Sequence, residues 1–196
     1  MSARHIALMA GVAIALAPAA SASMMELKLS THSSDETAAT ALDATFEFSV
    51  AGTTLTLTVT NDTVAPSEFD INELYFNGPD GVTLTPDPLP SGWTFDDSGP
   101  MVNGFGDFDF GLVASDLPPD DSIAPGASLS FSFTMSGPFD VKDFTSAGST
   151  NGYLIAAKFV RGPDDDSAFG ATIPAPGVLA LMGMAGLLVA RPRRRR

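Results

Sequence analysis

The chain has no cysteine in its 196 residues, which excludes disulfides, thiolate metal sites and a cysteine nucleophile. It has only two histidines, His5 and His32, and one tryptophan. No Gly-x-Ser-x-Gly elbow and no His-Glu-x-x-His helix occurs, and a Ser-His-Asp arrangement would have to use His32, near the start of the folded part. Carboxylate pairs suited to glycoside hydrolysis are numerous only because acids are abundant, so they point to nothing by themselves. The expectation is a protein that is not an enzyme. Basic residues are scarce too. All 23 acidic residues lie between Glu26 and Asp166, where only Lys28, Lys142, Lys158 and Arg161 are basic, so this body is more negative than the chain's net −13. Such a surface repels nucleic acid and anionic lipid heads, stays soluble and attracts divalent cations.

Helical periodicity is also nearly missing. Only Asp35 to Ala44 suits a turn or two, capped by Ser34 or Asp35. Instead the apolar residues recur with a period of two. Met25, Leu27 and Leu29 alternate with Glu26, Lys28 and Ser30. Phe46, Phe48 and Val50 precede a turn at Ala51-Gly52, and Leu55, Leu57 and Val59 then alternate with threonines. Leu129, Phe131, Phe133 and Met135 alternate with Ser128, Ser130, Ser132 and Thr134 after the turn Pro125-Gly126. Strands with one wet face belong to antiparallel sheets. Between Phe69-Ile71 and Leu74-Phe76 the parity changes, which predicts a bulge at Asn72-Glu73. Val82 and Leu84 predict a short strand ending before Pro86. Tyr153 to Val160 is apolar on both faces apart from Lys158, which predicts a central strand. Residues 23–172 therefore read as one all-β domain, a single antiparallel β-sandwich of immunoglobulin-like or jelly-roll topology.

The two ends differ from this body. Residues 1–22 carry Arg4 and His5, an apolar run from Ile6 to Ala17, and the small residues Ala20-Ser21-Ala22. That order describes a secretory signal helix, cut by signal peptidase to leave Ser23 first, and its partner is the secretion machinery. At the other end, Ile173-Pro174-Ala175-Pro176 precedes an apolar segment from Gly177 to Ala190, followed by Arg191, Pro192, Arg193, Arg194, Arg195 and Arg196. No residue from Ala171 to Ala190 is charged, and a helix of about 20 residues rises ~30 Å, enough to span a bilayer. The arginines stop translocation and stay cytoplasmic, which places the body outside. A plain single-span anchor, or an arginine patch for nucleic acid, would share parts of this pattern; the acidic remainder argues against nucleic acid as a partner.

Residues 173–196 resemble the PEP-CTERM sorting signal of Gram-negative bacteria, in which a Pro-Glu-Pro motif, a short membrane span and an arginine-rich end occur in this order. Ala175 stands where that family usually has Glu, a departure that touches recognition and cleavage rather than anchoring. The resemblance implies a transmembrane helix in the inner membrane and processing near Pro174, Ala175 and Pro176 by an exosortase, a membrane transpeptidase-like enzyme. It also implies delivery to the cell surface or extracellular matrix, in the company of exopolysaccharide and biofilm.

Three features of the body suggest ligands. In Gly104-Phe105-Gly106-Asp107-Phe108-Asp109-Phe110-Gly111, a continuous strand would put Asp107 and Asp109 on one face, Phe108 and Phe110 on the other. With Asp164, Asp165 and Asp166 these carboxylates could hold calcium, which takes six to eight oxygens, although no EF-hand loop is matched; aspartates also simply make good turns. No other cofactor is suggested. Trp93, followed by Asp96 and Asp97, is either an exposed platform for sugar or a core plug between sheets. Asn61-Asp62-Thr63 fits a glycosylation sequon, a match of little weight in a bacterial protein.

Overall fold

The computed structural model of the chain describes residues 23–28, 31–32, 42–63, 69–115, 121–146, 148–161 and 167–172. Among them the fold is all-β, built from antiparallel strands. No described helix is long and apolar enough to cross a membrane. The segments that carry the expected signal helix and membrane span, 1–22 and 173–196, lie outside the described residues.

One sheet grows from a hairpin. Strands β3 (Ala44–Ala51) and β4 (Thr54–Asn61) pair in the register Ala51 to Thr54, leaving Gly52 and Thr53 as a two-residue loop. Gly52 has φ +64°, the sign that the first position of a type II′ hairpin loop requires and that a side chain resists. Pleating sends alternate side chains to opposite faces, so Phe46, Phe48, Val50, Leu55, Leu57 and Val59 are all buried. Strand β1 (Ser23–Lys28) pairs with β3, Ser23 lying opposite Val50. On the other side β11 (Ser128–Met135) pairs with β4, and β6 (Leu84–Pro86) closes that edge. The short strand includes Pro86 rather than ending before it, because an edge strand tolerates the missing N–H. Likewise Ala44 opens a strand, so the expected helical stretch does not reach it; residues 35–41 lie outside the described residues.

The second sheet has the order β2 (Thr31–His32), β13 (Ala168–Thr172), β12 (Ile155–Val160), β5 (Asp70–Phe76), β10 (Phe110–Ala114) and β7 (Trp93–Asp96). The apolar strand β12 lies in its interior, as its sequence requires. The parity change in β5 is a bulge: Lys158 faces Glu73 and Phe159 faces Ile71, which leaves Asn72 as the extra residue. A two-stranded ribbon, β8 (Met101–Val102) with β9 (Gly106–Asp107), adds a third element.

Both sheets feed one core. Phe48 meets Phe76 with ring centroids 6.0 Å apart, Phe76 meets Phe133 at 6.0 Å, and Phe95 meets Phe133 at 5.1 Å. Each fully buried ring contributes roughly 2–3 kcal/mol by leaving water, and no disulfide is needed to hold them. The only described helix, α1 (Val141–Ser146), stacks Phe144 on Phe48. Its sequence signal is a capping box: the Asp140 carboxylate accepts from the Lys142 amide at 3.1 Å and the Asp143 carboxylate accepts from the Asp140 amide at 2.9 Å. Six residues between glycine-rich loops carry no helical periodicity, so this helix is not expected from the pattern of apolar positions.

Asn61 ties the sheets together at the end away from the Gly52 turn. Its side-chain amide donates to the carbonyls of Phe69 and Ile123, each at 2.8 Å, and its oxygen accepts from Thr63. The residue is fully buried, so a glycan cannot sit on it in the folded protein. Replacing it removes one of two donors from each carbonyl, which keep the Thr63 hydroxyl and the Ile71 amide, and takes the side-chain acceptor from the buried Thr63 amide. Asn61→Ala is expected to lower the unfolding free energy by about 3 kcal/mol in urea titration, whereas Asn103→Ala in an exposed turn stays within about 0.5 kcal/mol.

Candidate functional site

Trp93 is not an exposed platform. Its side chain is 5 % exposed, its ring stands edge-on to Phe131 with centroids 4.9 Å apart, and its indole N–H donates to the Asp121 carbonyl at 2.7 Å. The ring fills the space between the two sheets because β7 pairs with β10, setting Trp93 opposite Ala114 and facing it inward. Sugar stacking on Trp93 is thereby ruled out, and the core-plug alternative holds.

Asp107 and Asp109 do not share the face of one strand either. The chain breaks between β9 and β10, so Phe108 enters a small cluster with Tyr75, Val102 and Phe105 while Phe110 enters the main core. Asp107 is exposed at the end of the ribbon, its backbone amide donating to the Thr150 hydroxyl at 3.0 Å. Asp109 is turned toward the loop after β5: its carboxylate accepts from the Gly78 amide at 3.0 Å, and its own amide donates to the Asn77 side chain at 3.1 Å. Asp164, Asp165 and Asp166 lie outside the described residues. Among the described residues no three carboxylates or histidines stand close enough together to hold a metal ion. The sorting motif Pro174, Ala175 and Pro176, the arginines Arg191 and Arg193 to Arg196, and Ala20 and Ala22 are likewise outside the description, whereas Ser23 begins β1.

A cleft of about 350 Å³ does bring polar groups together. Asp80, Asp97 and Asp109 line it with the glycines Gly78, Gly81 and Gly99. Two registers build it. Phe110 pairs with Phe76, which sets Asp109 beside Asn77 and Gly78; Gly111 pairs with Asp96, which brings Asp97 to Gly99 alongside. Gly78 is required by the close approach, since a Cβ there would lie 2.5 Å from Val82 and 2.8 Å from Phe110. The Ser98 hydroxyl and amide hold the neighbouring Asp96 carboxyl below its ordinary range. Hydrogen-bond acceptors dominate this cleft, which suits hydroxyl-rich or cationic ligands. Asn77-Gly78-Pro79-Asp80-Gly81 and Asp96-Asp97-Ser98-Gly99 are separate stretches of the sequence, and the pairing of both β5 and β7 with β10 brings them together.

Two further polar arrangements cover the sheets. On the five-stranded sheet the hydroxyls of Thr58 and Ser130 lie 2.9 Å apart, those of Thr60 and Ser128 2.8 Å apart, and Thr56 approaches Ser132 at 3.5 Å. This is a cross-strand hydroxyl ladder, the counterpart of the buried aromatic rows beneath. On the six-stranded sheet Glu73 accepts from the Tyr75 hydroxyl and from Lys158 Nζ at 2.7 Å, and Lys158 lies over the Phe169 ring.

Comparison with family models, with curated proteins and with solved structures finds no match for this chain.

The Tyr75 phenol is held protonated well above its ordinary 10.0, first by burial, then by the hydrogen bond it gives to Glu73 and by the charges of Glu73 and Asp96. The unfolded chain releases this proton near pH 10 and the folded chain keeps it. Its contribution to stability is therefore complete below pH 10 and declines as pH rises beyond that value. Denaturant titrations at pH 9 and pH 11 are expected to show this loss, and Tyr75→Phe is expected to reduce it.

Proposed function

We propose that the chain is a non-enzymatic, exported bacterial protein of the cell surface or extracellular matrix, whose body is a β-sandwich flanked by two address segments. The N-terminal signal carries it across the inner membrane, and the C-terminal span holds it there. An exosortase-like enzyme then processes the tag near Pro174, Ala175 and Pro176, and the body joins exopolysaccharide or biofilm. One observation carries this reading: the sequence places a proline motif, an uncharged apolar segment and an arginine-rich end in that order after the last strand, and an apolar run closed by Ala20-Ser21-Ala22 before the first. The body's two sheets share one aromatic core, which supports a face-to-face arrangement in immunoglobulin-like or jelly-roll topology. An acidic, hydroxylated exterior suits a hydrated matrix.

A second reading is a carbohydrate- or calcium-binding module displayed at the surface; the cleft lined by Asp80, Asp97 and Asp109 favours its carbohydrate half, since no three carboxylates among the described residues stand close enough to hold a metal ion. Under that reading an oligosaccharide added to the protein shifts the amide resonances of Gly78 and Ser98; under the first it leaves them in place.

The intact mass of the protein recovered from its native host's surface or medium tests the first reading. The expected species begins at Ser23 and ends between Ala171 and Gly177. A mass that still includes Arg196 contradicts the processing step, and one that still includes Met1 contradicts signal removal.

A further inference from the structure

We infer that the body faces the membrane with the pole of the Gly52-Thr53 turn and turns the pole around Asn61 and Ala124 to the surroundings, an inference that rests on the membrane-tag reading above. Strand registers carry it. Ser23 lies opposite Val50, Val50 opposite Leu55, and Leu55 opposite Phe133, so the first strand enters at the turn pole. In the other sheet Thr172 lies opposite Ile155 and Ile155 opposite Phe76. The two rows meet in the core, where Phe76 and Phe133 are 6.0 Å apart. At the other pole the Asn61 side chain holds the carbonyls of Phe69 and Ile123, so β5 runs from there toward the turn. β13, two places from β5 and parallel to it, runs the same way and delivers Thr172 to the turn pole.

Both ends therefore leave the body on one side. Ala171 and Thr172 belong to β13, so the uncharged stretch left for a span begins no earlier than residue 173, and at most four residues, 173–176, separate the last strand from it. Fully extended they reach roughly 14 Å, about half the ~27 Å length of an eight-residue strand. A tether that short brings the turn pole, and with it the loops of the acidic cleft after β5 and β7, close to the headgroup layer. On the N-terminal side Ala22 adjoins Ser23 directly, so an uncut signal would also hold the body by this pole. The tether rather than charge attraction holds this pole near the lipid bilayer, since its acidic loops are repelled by anionic lipid heads, and the fold can form with both membrane segments still inserted.

The absence of native cysteine makes the test clean. Thr53→Cys and Asn151→Cys mark the turn pole and Ala124→Cys the far pole, all three at exposed positions. The full-length chain is expressed in a Gram-negative host without the processing enzyme, and spheroplasts are treated with a bulky polymer-linked maleimide. The expected result is labelling at Thr53→Cys and Asn151→Cys at least tenfold slower than at Ala124→Cys, with the difference removed when detergent dissolves the membrane. Equal rates on membrane-bound protein, or a protected Ala124→Cys, overturn the orientation while leaving the tag reading intact. Protein recovered in the soluble fraction with Arg196 still present overturns both.

Discussion

The meeting of phenylalanine rings from two sheets is the interaction on which the rest of this structure depends. With no cysteine to cross-link the chain, the free energy that opposes unfolding has to come from burial. Phe46, Phe48, Phe76, Phe131, Phe133 and Phe159 are fully buried, drawn from strands of both sheets, and Trp93 and Phe110 pack among them. In β4 and β11 the large apolar side chains face inward while the alternate residues, threonines and serines, are small and polar. The threonines of β4 and the serines of β11 therefore follow from the same requirement as the core, and their hydroxyl ladder satisfies the outer face without adding apolar surface.

Charge completes the division between inside and outside. Acids crowd the turns and loops, where they accept hydrogen bonds from backbone amides, as Asp109 does from Gly78 and Asp140 from Lys142. The few described cations are placed against carboxylates: Lys158 on Glu73 and Arg161 on Asp70. Such exposed or half-exposed pairs contribute little stability each, but they join the neighbouring strands β5 and β12 and leave the exterior strongly negative.

What the sequence made legible was whatever depends on residues two apart. The hairpin of β3 and β4, the wet and greasy faces of β11, the interior position of β12 and the bulge at Asn72 all follow from parity, because pleating converts it directly into a face. What depends on distant pairing was not legible. Trp93 lies among glycine, proline and aspartate, a context equally suited to a platform or a plug, and its burial is decided by the partner strand β10. The Gly104 to Gly111 stretch has perfect alternation, yet the break at Phe108-Asp109 turns its two phenylalanines into different clusters, since the ribbon folds over the outer face of the second sheet. The cleft is of the same kind: two ordinary turns become one site through the registers of β5, β7 and β10. Helix α1 escaped because six residues are too few for a 3.6-residue period to declare itself, although its two aspartates at capping spacing were visible.

The central claim is that this aromatic core sustains the body of residues 23–172 without a metal ion, a disulfide or the flanking segments. Chemical unfolding of residues 23–172, produced without either flanking segment and held in excess EDTA, tests it most directly. The expected result is one cooperative transition, followed alike by the fluorescence of buried Trp93 and by far-ultraviolet circular dichroism. A chain that shows no transition, or that gains one only when calcium or the flanking segments are restored, would contradict it.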